Sequence, residues 1–244
     1  MKEIKKVLVC GNRKFFVREL DKDFHTQYGF VKSKDLVEAK NGDKLVSNTG
    51  RDFFIFAPSF IDSYSKIKRG AQIIPLKDIG LIIAETGVNK DSIVLDAGSG
   101  SGALCCFLAN LCKKVYSYEI RDDFFNIVKR NIDFLGLENI ELKKKDIYSG
   151  IDEKELDLIV LDLPEPWKVI GHASKSLKVG GFLVNYSPTI PQTADFVNAL
   201  TDSFVHVKTV EVIEREWEIK QRKVRPLSRG IGHSGFVSVV RRVR

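Results

Sequence analysis

The hydrophobic rhythm of the chain changes once. Residues 1–57 carry short apolar runs broken by turn chemistry, and from residue 71 apolar runs alternate with amphipathic stretches at helical spacing. In the first part, Val7-Leu8-Val9-Cys10, Phe15-Phe16-Val17 and Phe53-Phe54-Ile55-Phe56 are rich in β-branched and aromatic residues. Gly11-Asn12, Asn41-Gly42 and Asn48-Thr49-Gly50 separate them, and these residues suit tight turns. This pattern predicts a small antiparallel sheet or barrel. Pro58 and the polar stretch to Gly70 predict a short helix and a linker.

Beyond residue 71 the pattern predicts strands at Ile93–Leu95, Val115–Tyr118, Ile140–Leu142, Leu158–Leu161, Phe182–Tyr186, Val205–Ile213 and Phe236–Val240. Helices are predicted at Lys77–Glu85, Ala103–Leu111, Asp122–Phe134, Val169–Leu177 and Thr193–Leu200. Alternation of this kind makes a mostly parallel sheet with helices on both faces. No helix separates the sixth and seventh strands, so they read as a hairpin and the last strand enters antiparallel. The expected architecture is α/β, a seven-stranded mostly parallel sheet over residues 66–244 preceded by a small all-β domain over residues 1–65.

Composition adds little until charge is considered. No apolar run approaches the roughly 20 residues that span a bilayer, and Met1-Lys2-Glu3-Ile4-Lys5-Lys6 is too polar for a secretory signal. A soluble cytoplasmic protein without membrane contact is expected. The net charge of +7 is unevenly placed: residues 1–70 hold 15 Lys and Arg against 9 Asp and Glu, whereas the remainder is nearly balanced. A basic unit attached to a neutral one suits a polyanionic partner, with plain solubility as the alternative. The spacing of Cys10, Cys105, Cys106 and Cys112 fits no zinc motif, so no metal is expected. Cys105 and Cys106 read as small core residues of a helix.

The densest chemistry lies at Asp96-Ala-Gly98-Ser99-Gly100-Ser-Gly102-Ala103, between a strand and a helix. Glycines there allow positive φ and let a ligand approach the backbone. Alone, this turn also fits a dinucleotide site, because Glu119 follows at the distance of a ribose-binding acid. Three further acids shift the balance. Asp96 precedes the glycines, Asp146 follows the third strand, and Asp162 opens Asp162-Leu-Pro-Glu-Pro-Trp167 after the fourth. Ligands of open α/β sheets sit at the carboxyl ends of strands. Four acids around one crevice suit a sulfonium or an amino group and repel a diphosphate. Each acid read singly also fits a cap or a loop.

These residues resemble the class I S-adenosylmethionine-dependent methyltransferases, and in particular the tRNA (adenine-N1)-methyltransferase family called TrmI. The resemblance covers residues 60–244. It is carried by Arg69-Gly-Ala-Gln72-Ile-Ile-Pro75-Leu-Lys77-Asp78, by Val94–Leu104, by Ser117-Tyr-Glu-Ile-Arg121, by Leu161–Trp167, and by Arg215-Glu-Trp217, Val224-Arg-Pro226 and Gly232-His-Ser-Gly-Phe236. It implies a Rossmann-like domain, S-adenosylmethionine as cofactor, methylation of adenine N1 in the T-loop of tRNA, and a homotetramer. Glu119 and the adjacent Ile120 would hold the ribose, and Asp146 with Ile147 the adenine. Gly98, Ser99, Gly100, Gly102 and Ala103 would cradle the methionine end, with Asp96 and Gln72 nearby. Asp162 would face the target base and act as the catalytic residue. The family commonly reads Gln-Ile-Ile-Tyr-Pro-Lys-Asp where this chain has Gln72-Ile-Ile-Pro75-Leu-Lys77-Asp78, so an aromatic residue is missing at Pro75.

Around that frame, Trp167 and Tyr186 are candidates for packing on the base, with core packing as the other reading of Trp167. Arg215, Arg222, Arg225 and Arg229 lie in a basic segment fit for phosphates, or equally for a solvated loop or subunit contact. His233 is either a pocket residue or a structural one. Competing functions are a class I methyltransferase for isoaspartyl protein or a corrinoid precursor, and a non-catalytic tRNA-binding subunit.

Overall fold

The computed structural model describes residues 1–70, 72–230 and 232–244, and the chain forms two compact units. Ala71, in the segment before the first helix of the larger unit, lies outside the described residues. The first unit comprises Met1–Ile67 with Asp133–Gly136, and the second Lys68–Ile132 with Leu137–Arg244.

The first unit contains β1 (Lys6–Cys10), β2 (Arg13–Val17), β3 (Phe24–Thr26), β4 (Gly29–Val31), α1 (Ser33–Glu38), β5 (Lys44–Val46), β6 (Asp52–Phe56) and α2 (Phe60–Tyr64). An antiparallel sheet runs in the order β2-β1-β6-β5, and β3 and β4 form a separate hairpin. Alternation along β6 buries Phe53 and Ile55 against Leu8, Val17, Val31 and Leu36 and leaves Phe54 and Phe56 exposed. The three longer strands match the sequence pattern. The pattern does not reveal β3, β4 and β5, because three residues are too few for alternation to register.

The second unit follows with α3 (Leu76–Thr86), β7 (Ile93–Ala97), α4 (Ala103–Ala109), β8 (Lys114–Tyr118), α5 (Asp122–Leu135), β9 (Ile140–Lys143) and β10 (Leu156–Leu161). Then come α6 (Ile170–Ser176), β11 (Leu177–Ser187), α7 (Ile190–Asn198), β12 (Phe204–Glu211), β13 (Trp217–Lys220), β14 (Lys223–Pro226) and β15 (Phe236–Arg242). The seven-stranded sheet has the order β12-β15-β11-β10-β7-β8-β9, and β15 alone runs antiparallel to both neighbours. Chain direction across the sheet reverses between β7 and β10, which is the switch point where open sheets leave a crevice. Leu95 and Ala97 join a core with Ile159, Leu161, Leu183, Ile170, Ala173 and Phe196. Asp96 lies between them on the strand, so its side chain emerges on the opposite face, where it accepts from the N–H of Cys105 in α4.

Besides β11, which begins at Leu177 and not at Phe182, two details depart from the sequence pattern. α7 begins at Ile190 instead of Thr193, because Thr189 caps it through Gln192 N–H and Pro191 occupies its first turn. The connection between β12 and β15 is more than a turn, since β13 and β14 form a two-stranded hairpin within it. No helix of the described residues is long and apolar enough to cross a membrane.

Asn131 of α5 fixes the glycine turn from behind. It is fully buried, its Oδ1 accepts from Lys68 N–H at 2.8 Å, and its Nδ2 donates to Lys68 O at 2.9 Å and Ser101 O at 2.8 Å. Asn131→Ala strands these buried groups and is expected to cost about 2–3 kcal/mol. Differential scanning calorimetry of the purified variant checks this as a fall of several degrees in the unfolding midpoint.

Candidate active site

β7 and β10 are nearly all apolar and buried, as parallel central strands must be, and they deliver one acid each to the switch point. Asp162 N–H donates to Ala97 O at 3.0 Å, which continues the β7–β10 ladder beyond the last strand residue. Gly98 follows with φ of +86°, and a Cβ there would lie 2.0 Å from Asp162 O. Only glycine permits this approach. At Gly100 a Cβ would meet nothing nearer than Gly98 O at 3.9 Å, so the turn is open on that side.

The turn is anchored from β8. Ser99 Oγ donates to Tyr118 O at 2.9 Å and lies 2.6 Å from Ser117 Oγ. Glu119 is buried, with Oε2 accepting from Gly100 N–H and Oε1 from Arg121 N–H, both at 2.9 Å. Each carboxylate oxygen keeps a second lone pair for a ligand hydroxyl.

Asp96 is the unusual group. It accepts from the Ser117 hydroxyl and Cys105 N–H, yet its Oδ2 is buried with no hydrogen-bond partner. Burial first, then the charges of Asp162 and Glu119, push its carboxyl up to about 7. Burial alone pushes Asp162 up to about 6. Gln72, Ile73, Ile74, Asp96, Gly98, Ser99, Gly100, Ser101, Ala103, Leu104 and Asp162 line one small cavity. An orphaned acid oxygen, two disfavoured carboxylates and an open glycine backbone fit a cationic ligand with an amino-acid end.

Most of the residues singled out for cofactor binding therefore converge. Gln72, Asp96, Gly98, Ser99, Gly100, Ala103 and Asp162 share the cavity, Glu119 bonds its turn, and Gly102 completes the turn before α4. Ile120, Asp146 and Ile147 are not in its lining. Ile120 is exposed, Ile147 is buried, and Asp146 caps a short 3₁₀ turn through Tyr148 N–H at 2.9 Å.

The other candidates are more dispersed. Trp167 is half-buried against the core. Arg215 and Arg229 border a cleft with Glu214 and Glu216, and Pro75, Lys77, Glu214, Glu216, Arg229 and Gly230 line an adjoining space of about 370 Å³. Arg222 lies at the β13–β14 turn and Arg225 bonds Glu218 at 3.2 Å. His233 sits between Glu211 Oε1 at 2.6 Å and Pro188 O at 2.8 Å. Two acceptors need both ring nitrogens protonated, and Glu211 above all raises the imidazole pKa.

A network that the sequence reading missed holds Tyr186. Lys77 Nζ donates to Asp78 Oδ1 at 2.8 Å, Val212 O at 2.7 Å and Ser234 Oγ at 2.5 Å. Asp78 Oδ2 accepts from Ser234 Oγ at 2.7 Å and from the Tyr186 hydroxyl at 3.3 Å. A Cβ at Gly235 would lie 2.4 Å from Tyr186 Cζ, so the ring rests on bare backbone. The available signal was an adjacent Lys-Asp pair at a helix start, which reads as ordinary surface charge.

Strand order, the lone antiparallel strand and the acid-glycine turn at the switch point define a class I methyltransferase fold. The chain belongs to the family described as tRNA methyltransferase complex GCD14 subunit, which matches residues 64–238. It is 36% identical to the tRNA (adenine(57)-N(1)/adenine(58)-N(1))-methyltransferase TrmI of Methanocaldococcus jannaschii, over 95% of this chain and 92% of that one. It is 32% identical to the tRNA (adenine(58)-N(1))-methyltransferase TrmI of Thermus thermophilus, over 90% of this chain and 88% of that one. Among solved structures, a SAM-dependent O-methyltransferase from Thermotoga maritima matches with TM-score 0.88 and 29% identity, covering 100% of this chain and 94% of that one. TrmI from Aquifex aeolicus matches in fold with TM-score 0.85 at 22% identity, covering 100% and 99%.

Two outcomes follow from this geometry. The folded state raises the Asp96 pKa, so it binds that proton more tightly than the unfolded chain. The resulting stability is complete below about pH 4, the unfolded carboxyl range, and is lost as pH rises through about 7. Without cofactor, the unfolding midpoint is expected to fall between pH 5 and pH 8, and Asp96→Asn to flatten that fall. Asp78→Ala leaves Lys77 buried without its carboxylate and is expected to cost about 3 kcal/mol, read by urea unfolding monitored by circular dichroism.

Proposed function

We propose that the chain transfers the methyl group of S-adenosylmethionine to N1 of an adenine in the T-loop of tRNA, with Asp162 facing the target base. The observation that carries this reading is the shared cavity of Asp96, the glycine turn and Asp162, with Asp162 locked to the turn through Ala97 O and Gly98. The names of the Methanocaldococcus and Thermus relatives support adenine N1 of tRNA as the acceptor.

Glu119 would receive the ribose hydroxyls on its free lone pairs, with Ile120 beside it. Asp146 and Ile147 would flank the adenine ring. The backbone of Gly98 to Ala103 would hold the amino-acid end, Gln72 would close over it, and the orphaned Oδ2 of Asp96 would gain a cationic partner. Bound there, S-adenosylmethionine supplies an electrophilic methyl group on a positively charged sulfur. Adenine N1 carries its own lone pair, so the protein's task is in-line placement of the base. A pKa of about 6 leaves Asp162 ionised at neutral pH. Its carboxylate would accept from the adenine N6 amino group, and that bond strengthens as positive charge develops on the ring.

A T-loop adenine must leave its stack to reach this cavity, at a cost of a few kcal/mol. Trp167 and Tyr186 would pack on the extruded base, and Arg215, Arg222, Arg225, Arg229 and His233 would meet the surrounding phosphates. The same reading makes the protein a cytoplasmic homotetramer whose residues 1–65 contact tRNA or another subunit. The β13–β14 hairpin supports a subunit contact, because Trp217, Ile219 and Val224 are exposed and Ile219 pairs with Val224 across it.

Incubation with an unmodified tRNA transcript and methyl-labelled cofactor, followed by reverse transcription, tests the assignment, since N1 methylation blocks base pairing and stops the polymerase. A stop in the T-loop is expected. Asp162→Ala should bind cofactor by calorimetry yet lose about 10²–10³ in transfer rate. Wild-type rates in that variant would remove Asp162 from the mechanism.

A further inference from the structure

Two turns and one strand of the first unit meet around Tyr28. The β3–β4 turn is closed by Thr26 Oγ1, which accepts from Tyr28 N–H at 2.9 Å and donates to Gly29 O at 2.8 Å. The β5–β6 turn docks on it: Phe30 N–H donates to Asn48 Oδ1 at 2.8 Å, Asn48 N–H donates to Phe30 O at 3.1 Å, and Thr49 Oγ1 donates to Tyr28 O at 2.8 Å. Strand β2 contributes the third side, since Phe15 meets Tyr28 edge-on at 6.1 Å between ring centres. Tyr28 is thereby half-buried and fixed.

Two exposed arginines flank this fixed ring. The guanidinium carbon of Arg13 lies 5.8 Å from the Tyr28 ring centre, and that of Arg51 lies 5.3 Å from it. Neither has a carboxylate partner among the described residues, although six lysines of the same unit are in ion pairs. The nearby acids are committed elsewhere, Asp52 to Lys44 at 3.1 Å and Asp62 to Lys14 at 2.7 Å. Arg51 also lies beside the buried Cys10 thiol, to which its side chain is hydrogen-bonded. The fold therefore braces two guanidinium groups on one ring and pairs neither with a carboxylate. Such groups are pre-organised for planar, bidentate contact with phosphate oxygens.

We infer that Arg13 and Arg51, braced on Tyr28, form a phosphate clamp for the backbone of the RNA substrate. The inference rests on the tRNA reading above and deepens it by assigning a docking surface to the basic first unit, which residue type alone does not single out. Charge complementarity selects RNA as the occupant: residues 1–70 carry 15 Lys and Arg against 9 Asp and Glu, and Arg13 and Arg51, neither in an ion pair, share one surface point.

The test is the salt dependence of binding between the full-length protein and an unmodified tRNA transcript, by fluorescence anisotropy over 50–300 mM KCl. Arg13→Gln and Arg51→Gln should each lower the slope of log K against log salt by about 1, and the double variant by about 2. Affinity should fall roughly 10-fold per arginine near 0.1 M salt. Arg13→Lys/Arg51→Lys should recover most of the slope, Tyr28→Phe should behave as wild type, and cofactor affinity should not change in any variant. An unchanged slope in the double Gln variant overturns the clamp. So does an altered sedimentation profile with unchanged slope, which would make the surface a subunit contact. A chain that methylates no tRNA but whose variants still lose slope on a plain RNA hairpin would overturn the tRNA reading and leave the clamp standing.

Discussion

The meeting of Gly98 with the backbone of Asp162 is the constraint on which the site depends. Parallel pairing of β7 with β10 brings Ala97 opposite Leu161, and the next step in the ladder is the bond from Asp162 N–H to Ala97 O. At that point the two chains are so close that residue 98 has no room for a Cβ. Because the chain turns there at positive φ, Asp96 and Asp162 face one cavity from neighbouring strands. Both are placed by sheet register, which is a rigid and strongly specified feature wherever both sheet faces are buried.

That placement is electrostatically unfavourable in the absence of a ligand. Asp96 is buried beside two other carboxyls and one of its oxygens is unsatisfied, so its charged form is disfavoured at neutral pH. A purely structural acid would be expected to acquire a cation or a full set of donors, as Asp78 does from Lys77, Ser234 and Tyr186. The two aspartates make a natural contrast within one unit. One is neutralised by the protein itself and fixes side chains. The other is left without a cation among the described residues, so a positive group entering the cavity would stabilise it and would couple occupancy to stability.

How much of this was legible in the sequence depended on whether a signal was local. The buried strands β7 and β10 stand out because parallel central strands are apolar on both faces, and the glycines between β7 and α4 mark their own turn. Asp162 could be placed at a strand end by counting strands. Asp78 could not be singled out, since its partners Tyr186 and Ser234 are more than 100 residues away. The β13–β14 hairpin was hidden for another reason. Its turn puts Gln221 at positive φ where an Asn or Gly would have announced it, and its apolar residues are exposed, so no buried face imposes a pattern. Asp146 stands between these cases: its position after β9 was legible, whereas its bond to Tyr148 N–H as the cap of a short turn was not.

The proline at position 75 shows what the fold requires of that position and what it leaves free. Pro75 is the cap of α3, in extended conformation, and its carbonyl accepts from Asp78 N–H and Ile79 N–H, both at 3.0 Å. Starting the helix there needs only a carbonyl and an extended backbone, which proline provides without using an N–H. The helix start then fixes Lys77 and Asp78 in the network that holds Tyr186. Side-chain identity at 75 is therefore uncoupled from the support of the site and affects only the wall of the cleft shared with Glu214, Glu216 and Arg229. An aromatic ring there would narrow that cleft and offer a stacking surface, whereas proline leaves it wider. Position 75 is thus a point at which substrate fit can change while the cofactor cavity and its acids stay as they are.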